Sequence, residues 1–172
     1  MKPGESESYL DLAIADVSQH WATLSKECGN RPIEIDRENW HEPRWAHAKL
    51  LAAAGWPEMG KRNVTANGKP RVRGSITLII ADVSGGISRH EDIILMNSRL
   101  DAPHGWYFSG VSGGPIYVIQ GDLIIPAGLL YEGWPQAKDE RQGELTPNDI
   151  LIRGVTLTPS NFEKWLSSAR LT

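Results

Sequence analysis

The chain has 172 residues, enough for one domain of ordinary size or two small lobes around a shared core. Hydrophobic residues make up 40% and charged residues 23%, a balance typical of soluble globular proteins. A formal charge of −3 without a long basic run argues against a nucleic-acid partner. No apolar run approaches the roughly 20 residues that span a bilayer, and the first eight residues lack the apolar centre of a signal peptide. The expectation is a cytoplasmic protein with no membrane partner.

Residues 1–8 are polar and read as a frayed lead. Residues 9–17 alternate like a half-buried strand, with Leu10, Leu12, Ile14 and Asp16 on one face. Asp11 falls on the other face, where a carboxylate is costly to bury without a partner. It is either a strand-end aspartate in water or a carboxylate placed to orient a basic side chain. Residues 18–32 read as a surface connection. They hold the single cysteine, Cys28, which excludes an internal disulfide and, with no local base beside it, makes a poor nucleophile. Residues 32–35 read as a short second strand.

The segment 45–54 scores as helix on its alanine and leucine content. The abrupt stop at Gly55-Trp56-Pro57 makes a buried strand over 49–54 an equal reading. Gly60, Asn63, Asn67-Gly68 and Pro70 mark 58–70 as a loop. Strand patterns follow at 75–81 and 92–96. Residues 116–119 and 123–130 form a hairpin pattern across Gln120-Gly121-Asp122, with Pro126 at a bulge or an edge. After a polar loop over 134–148, residues 149–156 make a last strand. Thr158-Pro159 and a capping box from Ser160 to Glu163 open a terminal helix with Phe162, Trp165 and Leu166 on its apolar face. Short strands at turn-punctuated intervals with one closing helix predict a mainly β fold, an antiparallel barrel or sandwich.

The densest chemical signal is Ser109-Gly110-Val111-Ser112-Gly113-Gly114-Pro115, preceded by Trp106-Tyr107-Phe108. Glycines around a serine permit a tight turn that aims a hydroxyl and several amides into one small space. That arrangement suits a nucleophile beside an oxyanion hole. A β-turn between strands, with the glycines serving conformation alone, accounts for the same residues.

Gly110-Val111-Ser112-Gly113-Gly114-Pro115 resembles the nucleophile motif of the trypsin-like, chymotrypsin-fold serine peptidases. Gly128-Leu129-Leu130-Tyr131-Glu132-Gly133 is similar to the strand that pairs with the substrate backbone in that family. Leu10-Asp11-Leu12-Ala13-Ile14 resembles the motif of its triad aspartate. Residues 51–57 resemble a strand ending in a Gly-aromatic turn, which favours strand over helix there, and the terminal helix resembles the one closing the second barrel.

The resemblance implies an antiparallel β-barrel of the trypsin-like type with a C-terminal helix. Residues 1–35 would be a remnant of the first barrel carrying Asp11, and 36–172 the second barrel. It makes Ser112 the acyl-forming nucleophile and Asp11 the residue orienting an imidazole. The amides of Gly110 and Ser112 become the oxyanion hole, and Tyr131, Glu132 and Gly133 a strand for peptide addition. Trp106 falls near the primary specificity site, where an apolar residue favours small or apolar side chains.

Two departures stand out. Val111 occupies the position where relatives activated by cleavage carry an aspartate. The family's order of His, Asp and Ser also leaves no room for the histidine, since only ten residues precede Asp11. His20, His41, His47, His90 and His104 all follow it, and His104 is the nearest to Ser112 in sequence. A serine hydroxyl is a weak nucleophile without a base.

Three expectations follow. The chain is the carboxy-terminal part of a trypsin-like endopeptidase, inactive alone and completed by an N-terminal segment or second chain. Alternatively it is a pseudo-peptidase that binds peptides on the strand of Tyr131, Glu132 and Gly133, or a small β-domain whose glycine motif is a plain turn. The partner in the first two is a peptide or protein substrate. No cofactor is expected, and no metal, although His41 and His47 stand close enough for a weak site.

Overall fold

The computed structural model describes residues 14–27, 40, 50–82, 88–90, 93–103, 105, 107–134 and 148–168, with Asp82 and 88–90 described by their backbone alone. Nine strands account for most of it: β1 (Leu50–Gly55), β2 (Arg62–Ala66), β3 (Lys69–Arg73), β4 (Thr77–Asp82), β5 (Ser88–His90), β6 (Ile93–Arg99), β7 (Pro115–Gln120), β8 (Leu123–Trp134) and β9 (Asp149–Thr156). Two α-helices, α1 (Trp21–Glu27) and α2 (Pro159–Ser168), lie near the two ends of the chain.

Seven strands form one sheet in the order β4-β1-β7-β8-β9-β6-β5, antiparallel throughout. The sheet curls into a half-barrel, bringing β4 against β6. The mainly β expectation therefore holds. β2 and β3 stand apart as a two-stranded ribbon.

The concave face carries the core. Leu51 and Ala53 of β1, Ile116 and Val118 of β7, and Ile152 of β9 are fully buried, and Ile94 and Met96 of β6 nearly so. Alternate residues point to one face of a strand, and several neighbours on the convex side stay in water. Leu78 and Ile80 of β4 are 58% and 50% exposed, and Ile124 of β8 is 67% exposed.

β1 settles the helix–strand conflict. Ala52 and Ala53 lie between β4 and β7 and pair with both, Ala53 opposite Ile79 on one side and Ile116 on the other. Pairing on two edges outweighs the few tenths of a kcal/mol per residue by which alanine and leucine favour helix. The hairpin of β7 and β8 carries its irregularity beside Pro126: Ile116 faces Gly128 while Tyr117 faces Pro126, leaving Ala127 as the extra residue.

Several expectations need correction. Residues 14–17 are not a strand, and 18–32 are not all connection. Asp16 Oδ1 accepts hydrogen bonds from the Ser18 amide at 2.8 Å and hydroxyl at 2.5 Å, and a 3₁₀ turn (Ser18–His20) leads into α1. The supposed loop 58–70 holds a 3₁₀ turn (Glu58–Gly60), all of β2 and the start of β3. Asn67 and Gly68 join those strands with φ of 54° and 72°, the conformation of a tight two-residue hairpin turn. Helix α2 starts where Thr158-Pro159 placed it, ahead of the Ser160–Glu163 capping box. Thr158 Oγ1 accepts from the Asn161 amide at 3.2 Å, which makes Thr158 the cap and puts Pro159 in the first turn. The second strand expected at 32–35 lies outside the described residues.

Candidate functional site

The loop from Phe108 to Pro115 is two consecutive β-turns. Val111 N donates to Phe108 O at 3.3 Å, and Gly114 N donates to Val111 O at 3.1 Å. The third residue of each turn is a glycine with positive φ, Gly110 at 85° and Gly113 at 83°. That is the requirement of a type II turn, which other residues meet only with strain.

Packing holds the loop in place. Phe108 and Val111 are buried in the core cluster, anchoring both sides of the Ser109-Gly110 turn. The Glu58 amide donates to Ser109 O at 2.7 Å, and a Cβ on Gly110 would sit 3.2 Å from both Glu58 N and Lys61 Nζ. Lys61 Nζ pairs with Glu58 Oε2 at 3.0 Å, so a charge pair borders the turn. At the other end a Cβ on Gly114 would overlap the Ala54 carbonyl of β1. Only glycine permits that approach.

The loop then joins β8. Gly113 N donates to Leu130 O at 2.7 Å, and Leu130 N donates to Gly114 O at 2.8 Å. Immediately beyond, β8 bulges: Leu130 faces Gly154 of β9 and Glu132 faces Arg153, leaving Tyr131 with no partner residue in β9. The exposed Ser112 hydroxyl fills the place, donating from Oγ to Tyr131 O at 2.8 Å. Residues 132–134 keep β9 on one side and, among the described residues, have no strand on the other.

Of the expected site residues, Gly110, Ser112 and Tyr131 come together in this loop–strand junction. Among the described residues no acceptor takes the amides of the exposed Gly110 and Ser112. Gly133 lies behind the loop, close enough that a Cβ there would stand 2.7 Å from Phe108 Cβ. Glu132 Oε2 bonds Arg153 Nη1 at 3.1 Å, and the Arg153 guanidinium lies 5.0 Å from the Trp134 ring centroid. Asp11 and Trp106 lie outside the described residues, as do His41, His47 and His104. His20 is exposed in the first 3₁₀ turn. Among the described residues Tyr131 O is the one hydrogen-bond partner of Ser112 Oγ.

Reading the sequence missed Glu58, Lys61 and Arg153 as neighbours of the site. Each reaches it across a fold contact between residues far apart in the chain, and none carries a local motif. Among the described residues no three His, Cys, Asp or Glu side chains gather as metal ligands, and no helix is long and apolar enough to cross a membrane. The chain matches no protein-family model, no curated protein and no solved structure.

Proposed function

We propose that this chain handles peptides as a trypsin-like serine endopeptidase does, with Ser112 as the acyl-forming residue. The observation that carries the reading is the junction itself. Ser112 stands on a tight glycine turn and its hydroxyl touches β8; among the described residues the amides of Gly110 and Ser112 have no acceptor and no strand pairs the far edge of residues 131–133.

In this reaction Ser112 Oγ attacks the peptide carbonyl carbon and gives its proton to a base. The carbonyl oxygen takes negative charge and is met by the amides of Gly110 and Ser112. Collapse expels the amine, which takes the proton, and water then releases the acyl group from Oγ. The substrate backbone lies along the free edge of residues 131–133 as an added strand, held mainly by main-chain hydrogen bonds. The base is a histidine outside the described residues or one brought by a second chain. Without it the amides and binding alone supply roughly 10³–10⁴-fold over water.

One observation favours a second reading, a pseudo-peptidase that binds peptides without cleaving them. Ser112 Oγ is occupied as a donor to Tyr131 O, and among the described residues no base touches it. Treatment with a biotinylated fluorophosphonate separates the two. A single adduct mapped to Ser112 by mass spectrometry, and lost in Ser112→Ala, supports the peptidase. An unlabelled Ser112 in folded protein that still binds peptide supports the second reading.

A further inference from the structure

The β2–β3 ribbon is the most sharply charged surface described, and the peptidase reading makes no use of it. Its register pairs Arg62 with Arg73, Val64 with Arg71, and Ala66 with Lys69. Residues directly opposite each other in an antiparallel ladder share a face. Four cations, Arg62, Lys69, Arg71 and Arg73, therefore crowd one side, while Asn63, Thr65, Pro70 and Val72 occupy the other. Every residue of β3 is exposed, as is all of β2 but Ala66, so neither side packs on the main sheet.

This arrangement is unfavourable as it stands. Like charges directly opposite each other, such as Arg62 and Arg73, destabilise a ladder, and a two-stranded ribbon is marginal alone. Among the described residues none of the four cations is in an ion pair. Among the described residues nothing supplies their counter-charge, so the ribbon presents four unneutralised cations to a partner.

We propose that the cationic side of this ribbon binds an extended acidic peptide segment. Lys69, Arg71 and Arg73 alternate along β3, which spaces them roughly 7 Å apart. An extended chain with a carboxylate at every second residue repeats at the same interval, so several pairs form in one register. A nucleic acid is the poorer fit. The chain carries −3 overall and residues 61–73 carry +5, which leaves −8 on the rest to repel a long polyanion. A short acidic segment meets the ribbon alone. The ribbon's base adjoins the Ser112 loop through Lys61 and Glu58, so such a segment docks next to the candidate site. The inference stands whether or not Ser112 forms an acyl intermediate.

The test is a fluorescence-anisotropy titration of the full chain with a labelled peptide of alternating Glu and Ser, against the same peptide with Gln for Glu and a 12-nucleotide DNA. The Glu peptide binds, weakens with added salt, and loses roughly tenfold in affinity in the Arg71→Gln/Arg73→Gln variant. Both positions are exposed strand residues outside the core, and amide shifts in the unmodified protein give an independent readout, moving at residues 62–73 on titration. Equal binding of the Glu and Gln peptides, shifts confined elsewhere, or tighter binding of the DNA at the same salt overturns the proposal.

Discussion

The Ser112 hydroxyl has one proton, and in this structure the Tyr131 carbonyl holds it. In the proposed acyl transfer that bond would have to break and the proton pass to a base. The bond has a second role, since it satisfies a carbonyl that the β8 bulge leaves without a partner residue in β9. Asp16 illustrates the same economy at the chain's other end. The Ser18 hydroxyl, and after it the Ser18 amide, hold the Asp16 carboxyl below the ordinary carboxylate range. A depressed folded-state pKa adds stability above the unfolded value, and that contribution is lost as pH falls through the folded value. Carbon-detected NMR titration should show Asp16 titrating lower than in Ser18→Ala, with the 18–20 turn loosening over the same acidic window. An Asp16 midpoint unchanged by Ser18→Ala would contradict this.

At the scale of elements, burial and pairing decide more than local preference. Leu51 of β1 is fully buried, whereas Leu78 of β4 points out of the sheet and is 58% exposed. Leu51→Ala should cost about 2–5 kcal/mol in urea unfolding, and Leu78→Ala no more than about 0.5 kcal/mol. Equal costs would mean that the concave face is not the core.

The elements also show where sequence is legible. β9 was readable end to end because Ile150-Leu151-Ile152 and Val155 form an apolar core of the strand, and Thr158-Pro159 marks where it stops. The β7–β8 hairpin followed from turn chemistry, and Pro126, which the sequence left as either a bulge or an edge, stands beside a bulge. β2 and β3 were not readable, because their residues are nearly all exposed and no alternation of apolar with polar marks them. Asn67-Gly68 pointed to a turn, but the flanking strands had no signal. Helix α1, with seven residues, is too short to show a 3.6-residue period.

At the scale of the molecule, the curled sheet gathers the ends of β1 and β7 and the second half of β8 around one loop. The glycines and serine of that loop were legible, since a motif of seven adjacent residues needs no fold to be seen. Its surroundings were not. The Ser112–Tyr131 bond spans 19 residues and depends on a bulge, and the Glu58 contact depends on a turn read as loop. No window of sequence contains either.

In the proposed function the Ser112 turn and the edge of residues 131–133 act as one peptide site. Titrating ¹⁵N-labelled protein with a short peptide boronic acid, which can accept a serine oxygen, tests this most directly. The amides of Gly110, Ser112, Tyr131, Glu132 and Gly133 should shift together at one ligand concentration. Saturation with those five amides unmoved would show that loop and strand are neighbours without a common function.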